Sequence, residues 1–204
     1  MTARARLVIF AKQPRRGQVK RRLAAGIGDA AALAFYRVAL AGLIRRLARQ
    51  RRWRTQLALT PDRPRHRGWP WPARVDRVAQ GMGDLGQRMA RAFRRADRRP
   101  MLIIGADIPE IQATHVLQAF RALARADLVF GPAPDGGYWL IGLRQGRLVD
   151  GMFKNVRWST PHALADTRAN LPRCWRVALL DQLDDIDDAA ALSRWRQRAK
   201  RPAG

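Results

Sequence analysis

A cationic segment near the amino terminus has the composition of a phosphate-binding loop. Residues 11–23 (AKQPRRGQVKRRL) carry Lys12, Lys20 and Arg22 together with Gly17. Cations neutralise phosphate oxygens, and a glycine lets a phosphate approach the backbone closely. The residue order is neither that of a P-loop nor that of a dinucleotide-binding fingerprint. The composition predicts binding of a di- or triphosphate; the alternative is a solvated loop in a very basic chain.

Lysine is scarce in this chain, and the loop contains two of the few lysines present. Only four of the 40 basic residues are lysines. Arginines spread along the whole chain are typical of a GC-rich genome, so a lysine is expected to persist where a compact point charge is needed instead of a planar fork. Lys12 and Lys20 are therefore candidates for phosphate contact, with chance placement as the alternative.

An aspartate follows the most apolar strand-like segment of the chain. The sequence MLIIG ends at Gly105 and continues as Ala106, Asp107, Ile108 and Pro109. Mg²⁺ and Mn²⁺ bind one or two carboxylates together with phosphate oxygens of a substrate. Asp107 is thus a candidate metal ligand. The alternative is an N-cap of the next helix, with the proline in its first turn.

The segment 134–138 (PDGGY) combines a turn signal with groups that could act on a substrate. Asp-Gly-Gly predicts a hairpin turn. Gly136 and Gly137 would also admit a substrate to the backbone, with Asp135 as a general base and Tyr138 as a stacking surface. Both interpretations stay open at this stage.

Acidic residues cluster before the last helical segment. Four aspartates lie within residues 184–188 of a chain whose net charge is +24. They could cap the last helix and interact with its dipole. Alternatively, one of them, Asp187, supplies a second carboxylate to the metal.

Alternating strand-like and helix-like segments must position these residues. The pattern predicts an α/β fold with a largely parallel sheet, in a single domain over residues 1–204. In such sheets, ligands bind beyond the carboxyl ends of the strands. The predicted strands are 6–11, 54–60, 74–79, 101–105, 128–131, 138–143 and 175–180. The predicted helices are 29–50, 85–96, 113–124, 161–169 and 189–200, and a Pro- and Arg-rich loop with Trp69 and Trp71 is predicted at 60–72.

Composition argues against several classes of protein. Hydrophobic residues make up 47% of the chain, which is enough for a folded core. The sequence has neither the apolar run of about 18 residues that a membrane span requires nor a signal peptide. The single cysteine, Cys174, cannot form an internal disulfide, and no zinc-ligand spacing occurs. These features predict a protein of the reducing cytoplasm.

The net charge of +24 favours anionic partners. Nucleic acid is disfavoured because the basic residues lack interleaved aromatics and no helix-turn-helix or RNA-binding signature appears. Peripheral contact with an anionic membrane remains open. A non-catalytic basic binding protein is therefore one alternative to an enzyme.

Six motifs in the same order resemble a family of small bacterial proteins with the GT-A (nucleotide-diphospho-sugar transferase) fold, some encoded beside radical-SAM or selenium-related genes. The resemblance covers residues 5–192. The motifs are AKxPxxGxVKTRL at 11–23, GDLGxRM at 83–89, GxDxPxL at 105–111, GPxxDGGYYLIGL at 131–143, WST at 158–160 and a DxDTxxDL-like ending at 185–192.

The resemblance implies a three-layer sandwich with a mostly parallel mixed sheet that binds a nucleotide-sugar and Mg²⁺ or Mn²⁺. Asp107 and Asp187 would hold the metal, and Asp135 and Lys20 would be catalytic. Nucleotide and phosphate contacts are implied for Lys12, Gly17, Lys20, Arg22, Gly83, Asp84 and Arg88. The pocket for an unknown small-molecule acceptor is implied at Gly136, Gly137, Tyr138, Trp158, Ser159 and Thr160, with core packing favoured for the tryptophan.

Several positions depart from the family pattern. Arg21 replaces a threonine, Ala106 replaces a hydroxyl residue, and the ending lacks its later acid. The element at Asp107 is not the paired Asp-x-Asp of many GT-A glycosyltransferases and is closer to nucleotidyltransferases of the superfamily. Two enzyme hypotheses follow: glycosyl transfer from a nucleotide-sugar, or joining of an NTP to a phosphorylated small molecule with release of pyrophosphate.

Overall fold

A seven-stranded sheet forms the centre of the fold in the computed structural model, which describes residues 4–62, 75–96, 99–145 and 148–200. Its strands are β1 (Ala5–Lys12), β2 (Trp53–Thr60), β3 (Asp76–Ala79), β4 (Met101–Gly105), β5 (Leu128–Pro132), β6 (Tyr138–Leu143) and β7 (Val177–Leu179). They lie in the order β3-β2-β1-β4-β6-β5-β7. All neighbours are parallel except the two pairs that β6 makes with β4 and β5. The predicted mostly parallel mixed sheet is confirmed.

The central strands are buried on both faces. In β1, Leu7 and Ile9 belong to one core cluster and Val8 to the other. In β4, Ile104 belongs to the first cluster and Ile103 to the second. Because successive side chains of a strand point to opposite faces, a central parallel strand must be apolar throughout.

Helices cover both faces of the sheet, which gives the predicted three layers. The helices of the described part of the chain are α1 (Arg21–Ile27), α2 (Asp29–Ala48), α3 (Leu85–Arg94), α4 (Ala113–Ala122), α5 (Ala163–Ala169) and α6 (Ala189–Lys200). On one face, α2 and α4 bury Leu40, Leu43 and Val116. On the other, α3 buries Met89 and Phe93. The apolar spacing of α2 is that of an amphipathic helix.

The predicted segments are confirmed with shifts at their ends and one omission. The helices predicted at 29–50 and 85–96 end at Ala48 and Arg94, and the strand predicted at 74–79 begins at Asp76. Helix α1 was missed, because residues 21–23 were assigned to the cationic loop and residues 24–27 to no element. It buries only Leu23, so its short sequence carries no helical periodicity of apolar residues.

Two predictions cannot be compared with structure in full. In the predicted loop at 60–72, residues 63–72, including Trp69 and Trp71, lie outside the described residues. The single domain over residues 1–204 stays a prediction. Across the described ranges, no helix is both long enough and apolar enough to span a lipid bilayer.

The carboxyl ends of the parallel strands open onto one edge of the sheet. The loop after β1, the segment after β4, the turn between β5 and β6 and the segment between β7 and α6 all start or end at this edge. Ligands of open α/β folds bind at such an edge. Most of the chemically interesting residues predicted from the sequence lie on these four segments.

Candidate active site

A single buried ammonium group joins three segments at this edge. The Lys20 Nζ lies 2.8 Å from Oδ1 of Asp107 and 2.8 Å from Oδ1 of Asp187. The Lys20 side chain is only 3% exposed, whereas those of the aspartates are 56% and 43% exposed. The first loop, the segment after β4 and the segment before α6 therefore meet at one charged point that solvent reaches from the carboxylate side.

The backbone around Lys20 is uncommon for a lysine. It adopts the left-handed conformation (φ 49°) at the N-cap of α1, directly after buried Val19. Such a conformation persists where surrounding contacts determine it. Burial alone would lower the pKa of the Lys20 ammonium, but the charges of Asp107 and Asp187 outweigh burial and hold that pKa above its ordinary value.

Asp107 does not cap a helix, so the structural alternative for this residue is wrong. Helix α4 begins at Ala113, and its N-cap is Gln112. The intervening segment is held by Arg46 of α2, which donates to the carbonyls of Pro109 and Ile111. Sequence reasoning missed this arginine, because its role appears only once α2 packs beside β4.

The four aspartates of residues 184–188 have different roles. Asp188 caps α6 by accepting the Ala191 N–H at 2.7 Å, and Asp184 pairs with Arg198 at 3.6 Å. Asp187 pairs with Lys20. The capping interpretation is therefore confirmed for Asp188, and the metal contact of Asp187 stays a prediction.

Asp185 is a site residue that sequence reasoning did not single out. Burial, the charge of Asp187 and a hydrogen bond with it raise the pKa of Asp185 to about 6, with Asp135 adding to the rise and Lys20 opposing it. Burial would also raise the pKa of Asp187, but Lys20 outweighs burial and lowers it. Ile186, between the two, is buried and donates its N–H to the Asp107 carbonyl at 3.4 Å. The Asp-Ile-Asp alternation around one apolar residue was the signal that could have identified Asp185.

The other candidate residues of the first loop are exposed at the surface. Lys12 and Arg22 have exposed side chains, and the charge of Arg22 contributes to lowering the pKa of Asp187. Gly17 has a φ of +71°, which a side chain rarely tolerates. The phosphate contacts predicted for these three residues stay predictions.

A buried tyrosine of α2 fixes the start of this loop. The Tyr36 hydroxyl accepts the Lys12 N–H at 3.0 Å and donates to the Lys12 carbonyl at 2.9 Å. Tyr36→Phe should lower the free energy of unfolding by about 1–3 kcal/mol, because the N–H and the carbonyl of Lys12 both lose a hydrogen-bond partner. Urea unfolding would measure the change. Val38→Ala, at an exposed position of the same helix, should shift stability by no more than about 0.5 kcal/mol; equal losses in both variants would contradict the explanation.

Gly83, Asp84 and Arg88 make local structural contacts. Asp84 caps α3 by accepting the Gln87 N–H at 2.8 Å, and Arg88 Nε donates to the Gly83 carbonyl at 2.8 Å. They follow β3, two strands from β1, which is roughly 10 Å across the sheet. Their predicted nucleotide contact stays a prediction.

The Asp-Gly-Gly segment forms the predicted hairpin turn between β5 and β6. Asp135 accepts the Gly137 N–H at 2.9 Å through Oδ1, and its charge contributes to the raised pKa of Asp185. Gly136 has a φ of +79° and lies against the backbone of Pro161. The hairpin is therefore docked on the residues that precede α5.

The predicted acceptor residues lie beside this hairpin. Tyr138 contacts Trp158 edge-to-face, with ring centroids 6.4 Å apart, and its hydroxyl lies 3.4 Å from Thr167 Oγ1. Burial raises the pKa of Tyr138. Trp158 packs on Phe153, as the core-packing interpretation predicted, and its indole N–H is buried without an acceptor among the described residues.

Ser159 and Thr160 form a turn next to these rings. Ser159 has a φ of 59°, and the Thr160 hydroxyl donates to the Arg157 carbonyl at 2.7 Å. The turn holds the Trp158 segment against the hairpin. Contact of Ser159, Thr160, Gly137 or Tyr138 with an acceptor stays a prediction.

An ion pair braces that turn. Asp166 accepts three hydrogen bonds from Arg157, at 2.7 to 3.0 Å, which hold the pKa of Asp166 well below its ordinary value. Its stabilising effect should be present above about pH 4, the ordinary Asp pKa, and should disappear as the pH falls toward the lowered pKa.

The difference in melting temperature between wild type and Asp166→Asn should therefore be largest near pH 7 and should shrink below about pH 4. Thermal unfolding at a series of pH values measures it. Asp150→Asn, at an exposed acid with no ion pair among the described residues, is the control. A difference that does not change with pH would show that Asp166 acts through packing instead of charge.

The carboxylate oxygens at the site are the type of donor atom that a hard divalent cation binds. Mg²⁺ is commonly held by one or two carboxylates, with phosphate oxygens and waters completing its shell, and Asp107 and Asp187 are both partly exposed. Within the described residues, no three acidic, histidine or cysteine side chains form a group that could hold a metal by themselves. The protein atoms therefore fit a metal that is shared with a phosphate ligand, with the Lys20 ammonium between the carboxylates.

Sheet order, layers and the position of the charged group define a nucleotide-diphospho-sugar transferase (GT-A) type of fold, as the resemblance predicted. Within this fold, the chain belongs to the family DUF2064, described as uncharacterized protein conserved in bacteria, whose model matches residues 43–160. No curated protein sequence matches the chain.

Three solved structures illustrate the likeness. A Desulfovibrio desulfuricans protein, provisionally assigned as a nucleotide-diphospho-sugar transferase, is 28% identical, with a TM-score of 0.89 over 98% of this chain and 89% of that chain. CMP:2-keto-3-deoxy-manno-octonic acid synthetase in complex with CTP is 13% identical, with a TM-score of 0.58 over 97% and 98%. Mycobacterium tuberculosis Rv0371c in complex with manganese is 16% identical, with a TM-score of 0.51 over 94% and 97%. At such low identities, the last two likenesses establish only a shared fold.

Proposed function

We propose that the protein is a metal-dependent glycosyltransferase that uses a nucleotide-sugar to glycosylate a small-molecule acceptor. One observation carries the proposal: the Nζ of Lys20, in the cationic loop, lies 2.8 Å from Oδ1 of Asp107. A cationic loop and a carboxylate at the end of a central strand thereby meet at one edge of the sheet, where ligands of such folds bind. The likeness to a provisionally assigned nucleotide-diphospho-sugar transferase supports it.

Two sets of residues would stabilise the diphosphate as it departs. Lys12, Lys20 and Arg22 neutralise the diphosphate as the bond between its oxygen and the anomeric carbon breaks. Asp107 and Asp187 would hold Mg²⁺ or Mn²⁺, which supplies further stabilisation of the negative charge that develops on the departing diphosphate. Electrostatic stabilisation of developing charge is commonly the largest catalytic contribution.

The acceptor would approach from the hairpin side. Asp135 orients the acceptor hydroxyl and takes its proton as the oxygen bonds to the anomeric carbon, and the nucleoside diphosphate leaves. Gly136 and Gly137 are half-buried at this turn, and Tyr138 and Trp158 lie next to it with their rings in edge-to-face contact. The charge of Asp135 contributes to the raised pKa of Asp185.

A nucleotidyltransferase is the second candidate. The single carboxylate at Asp107, instead of a paired Asp-x-Asp, favours it, as does the fold shared with a synthetase that binds CTP. The same cationic loop would then bind an NTP, and pyrophosphate would be released when the nucleotidyl group joins a phosphorylated acceptor.

Ligand-induced thermal stabilisation is the first test. UDP-, GDP-, CDP- and dTDP-sugars and the free NTPs are added separately, each with and without Mn²⁺. A specific ligand at about 100 times its Kd should add about 2.7 kcal/mol of stability, and only with the metal. Salt-sensitive DNA binding without stabilisation by any nucleotide would instead indicate a basic binding protein.

Product analysis then separates the two enzyme candidates. With the stabilising nucleotide and a panel of acceptors, glycosyl transfer releases a nucleoside diphosphate, whereas nucleotidyl transfer releases pyrophosphate. Release of pyrophosphate would overturn the glycosyltransferase proposal and leave the nucleotide site intact.

A further inference from the structure

The ammonium of Lys20 lies where a cation shared by Asp107 and Asp187 would lie. It is 2.8 Å from one Oδ1 of each, and the two aspartates come from segments 80 residues apart in the sequence. Without a positive charge between them, these carboxylates would repel each other. Lys20 is therefore the counter-ion that holds the pair together.

Mg²⁺ held by the same two carboxylates would lie about 2.0–2.1 Å from their oxygens. The lysine nitrogen and such a cation cannot share this position, because their volumes overlap and their charges repel. The lysine side chain has a flexible four-carbon stem and a compact charge, so it can move to a nearby anion without a change in the fold.

We propose that Lys20 is a displaceable counter-ion, which leaves the Asp107–Asp187 pair for a ligand phosphate as the metal binds, so that diphosphate and metal bind cooperatively. The inference rests on the proposed function and adds to it a coupling between diphosphate binding and metal binding. It also explains why a lysine stands here in a chain with only four lysines among 40 basic residues, since an arginine fork would hold the carboxylates bidentately.

Mn²⁺ binding to nucleotide-free protein tests the coupling without an activity assay. Titration calorimetry compares wild type, Lys20→Met and Arg21→Met. The methionine at position 20 keeps the length of the side chain and removes its charge, so we expect Mn²⁺ to bind at least about tenfold more tightly than to wild type. Arg21 is the exposed neighbour with no ion pair among the described residues, and its variant should lie within about twofold of wild type. Equal Mn²⁺ affinities of the two variants would overturn the inference.

An NMR measurement on the wild-type protein, which keeps the Lys20 ammonium, provides a second test if Lys20→Met does not fold. With four lysines in the chain, the side-chain ammonium signals can be resolved by NMR, and Lys20→Arg identifies the signal of Lys20. Inorganic pyrophosphate together with diamagnetic Mg²⁺ should shift that signal as the metal takes the carboxylates and the ammonium moves to the pyrophosphate. A signal that stays unchanged while pyrophosphate binds would contradict the proposal.

The two proposals fail in different ways. If no nucleotide with Mn²⁺ stabilises the wild-type protein, both the proposed function and this inference fail. If a nucleotide does stabilise it, but Lys20→Met binds Mn²⁺ no more tightly than Arg21→Met, only the inference fails.

Discussion

Asp107→Asn should weaken metal-dependent nucleotide binding by at least about 100-fold. Replacing groups that only support a metal ligand already costs about 10- to 100-fold in metal affinity, and the asparagine removes the negative charge of a direct ligand. It keeps the size of the side chain, and Asp187 remains to pair with Lys20. The fold should therefore persist while the ligand loses its metal.

The measurement is the Mn²⁺-dependent part of thermal stabilisation by the nucleotide that stabilises wild type. A 100-fold weaker ligand, present at 100 times the wild-type Kd, should retain only about 0.4 kcal/mol of its stabilisation. Glu110→Gln removes one negative charge three positions away, where no ion pair exists among the described residues, and should retain the full effect. If both variants behave like wild type, Asp107 is not a metal ligand.

Gly136→Ala should destabilise the protein by about 3 kcal/mol. Its φ of +79° costs an alanine about 1–2 kcal/mol. The added methyl group would lie 2.2 Å from the Pro161 carbonyl oxygen, and forced overpacking adds about 1–3 kcal/mol. Since the clash is with backbone, the hairpin must separate from the residues before α5, and Asp135 would move with it.

Gly151→Ala is the matched control. Gly151 has the same φ of +79°, and no heavy atom of the described residues lies within 4 Å of the position its methyl group would take. Gly151→Ala should lose only the stability that the positive φ costs an alanine, about 1–2 kcal/mol. Urea unfolding measures the stability loss of each variant, and the difference between the two losses is the cost of the clash with Pro161. Equal losses would show that the hairpin is not tightly docked.

The charge distribution suits the proposed ligand. The chain carries a net charge of +24, which attracts anions over long distances. The site itself is locally acidic, because Asp107 and Asp187 pair with one ammonium and Asp185 lies beside Asp187. A diphosphate would therefore be drawn to the protein by its surface but would need a metal and Lys20 to be held at this point.

Local patterns in the sequence determined much of the fold. The strands Met101–Gly105 and Tyr138–Leu143 and the helix Ala189–Lys200 have the predicted ends, because long apolar runs and turn residues mark such ends without reference to the rest of the chain. Helix α1 was missed because its seven residues bury one side chain and it depends on its packing against the neighbouring helices.

The sequence also indicated which residue types could carry chemistry, and the motifs of a family placed Lys20, Asp107 and Asp187 among them. Only the tertiary structure decided that these residues meet, although they are 87 and 167 positions apart from Lys20. It also decided that Asp188 caps a helix whereas Asp187 pairs with the lysine. Neighbouring aspartates are chemically identical, so their roles depend on the direction in which each side chain points once Ile186 is buried.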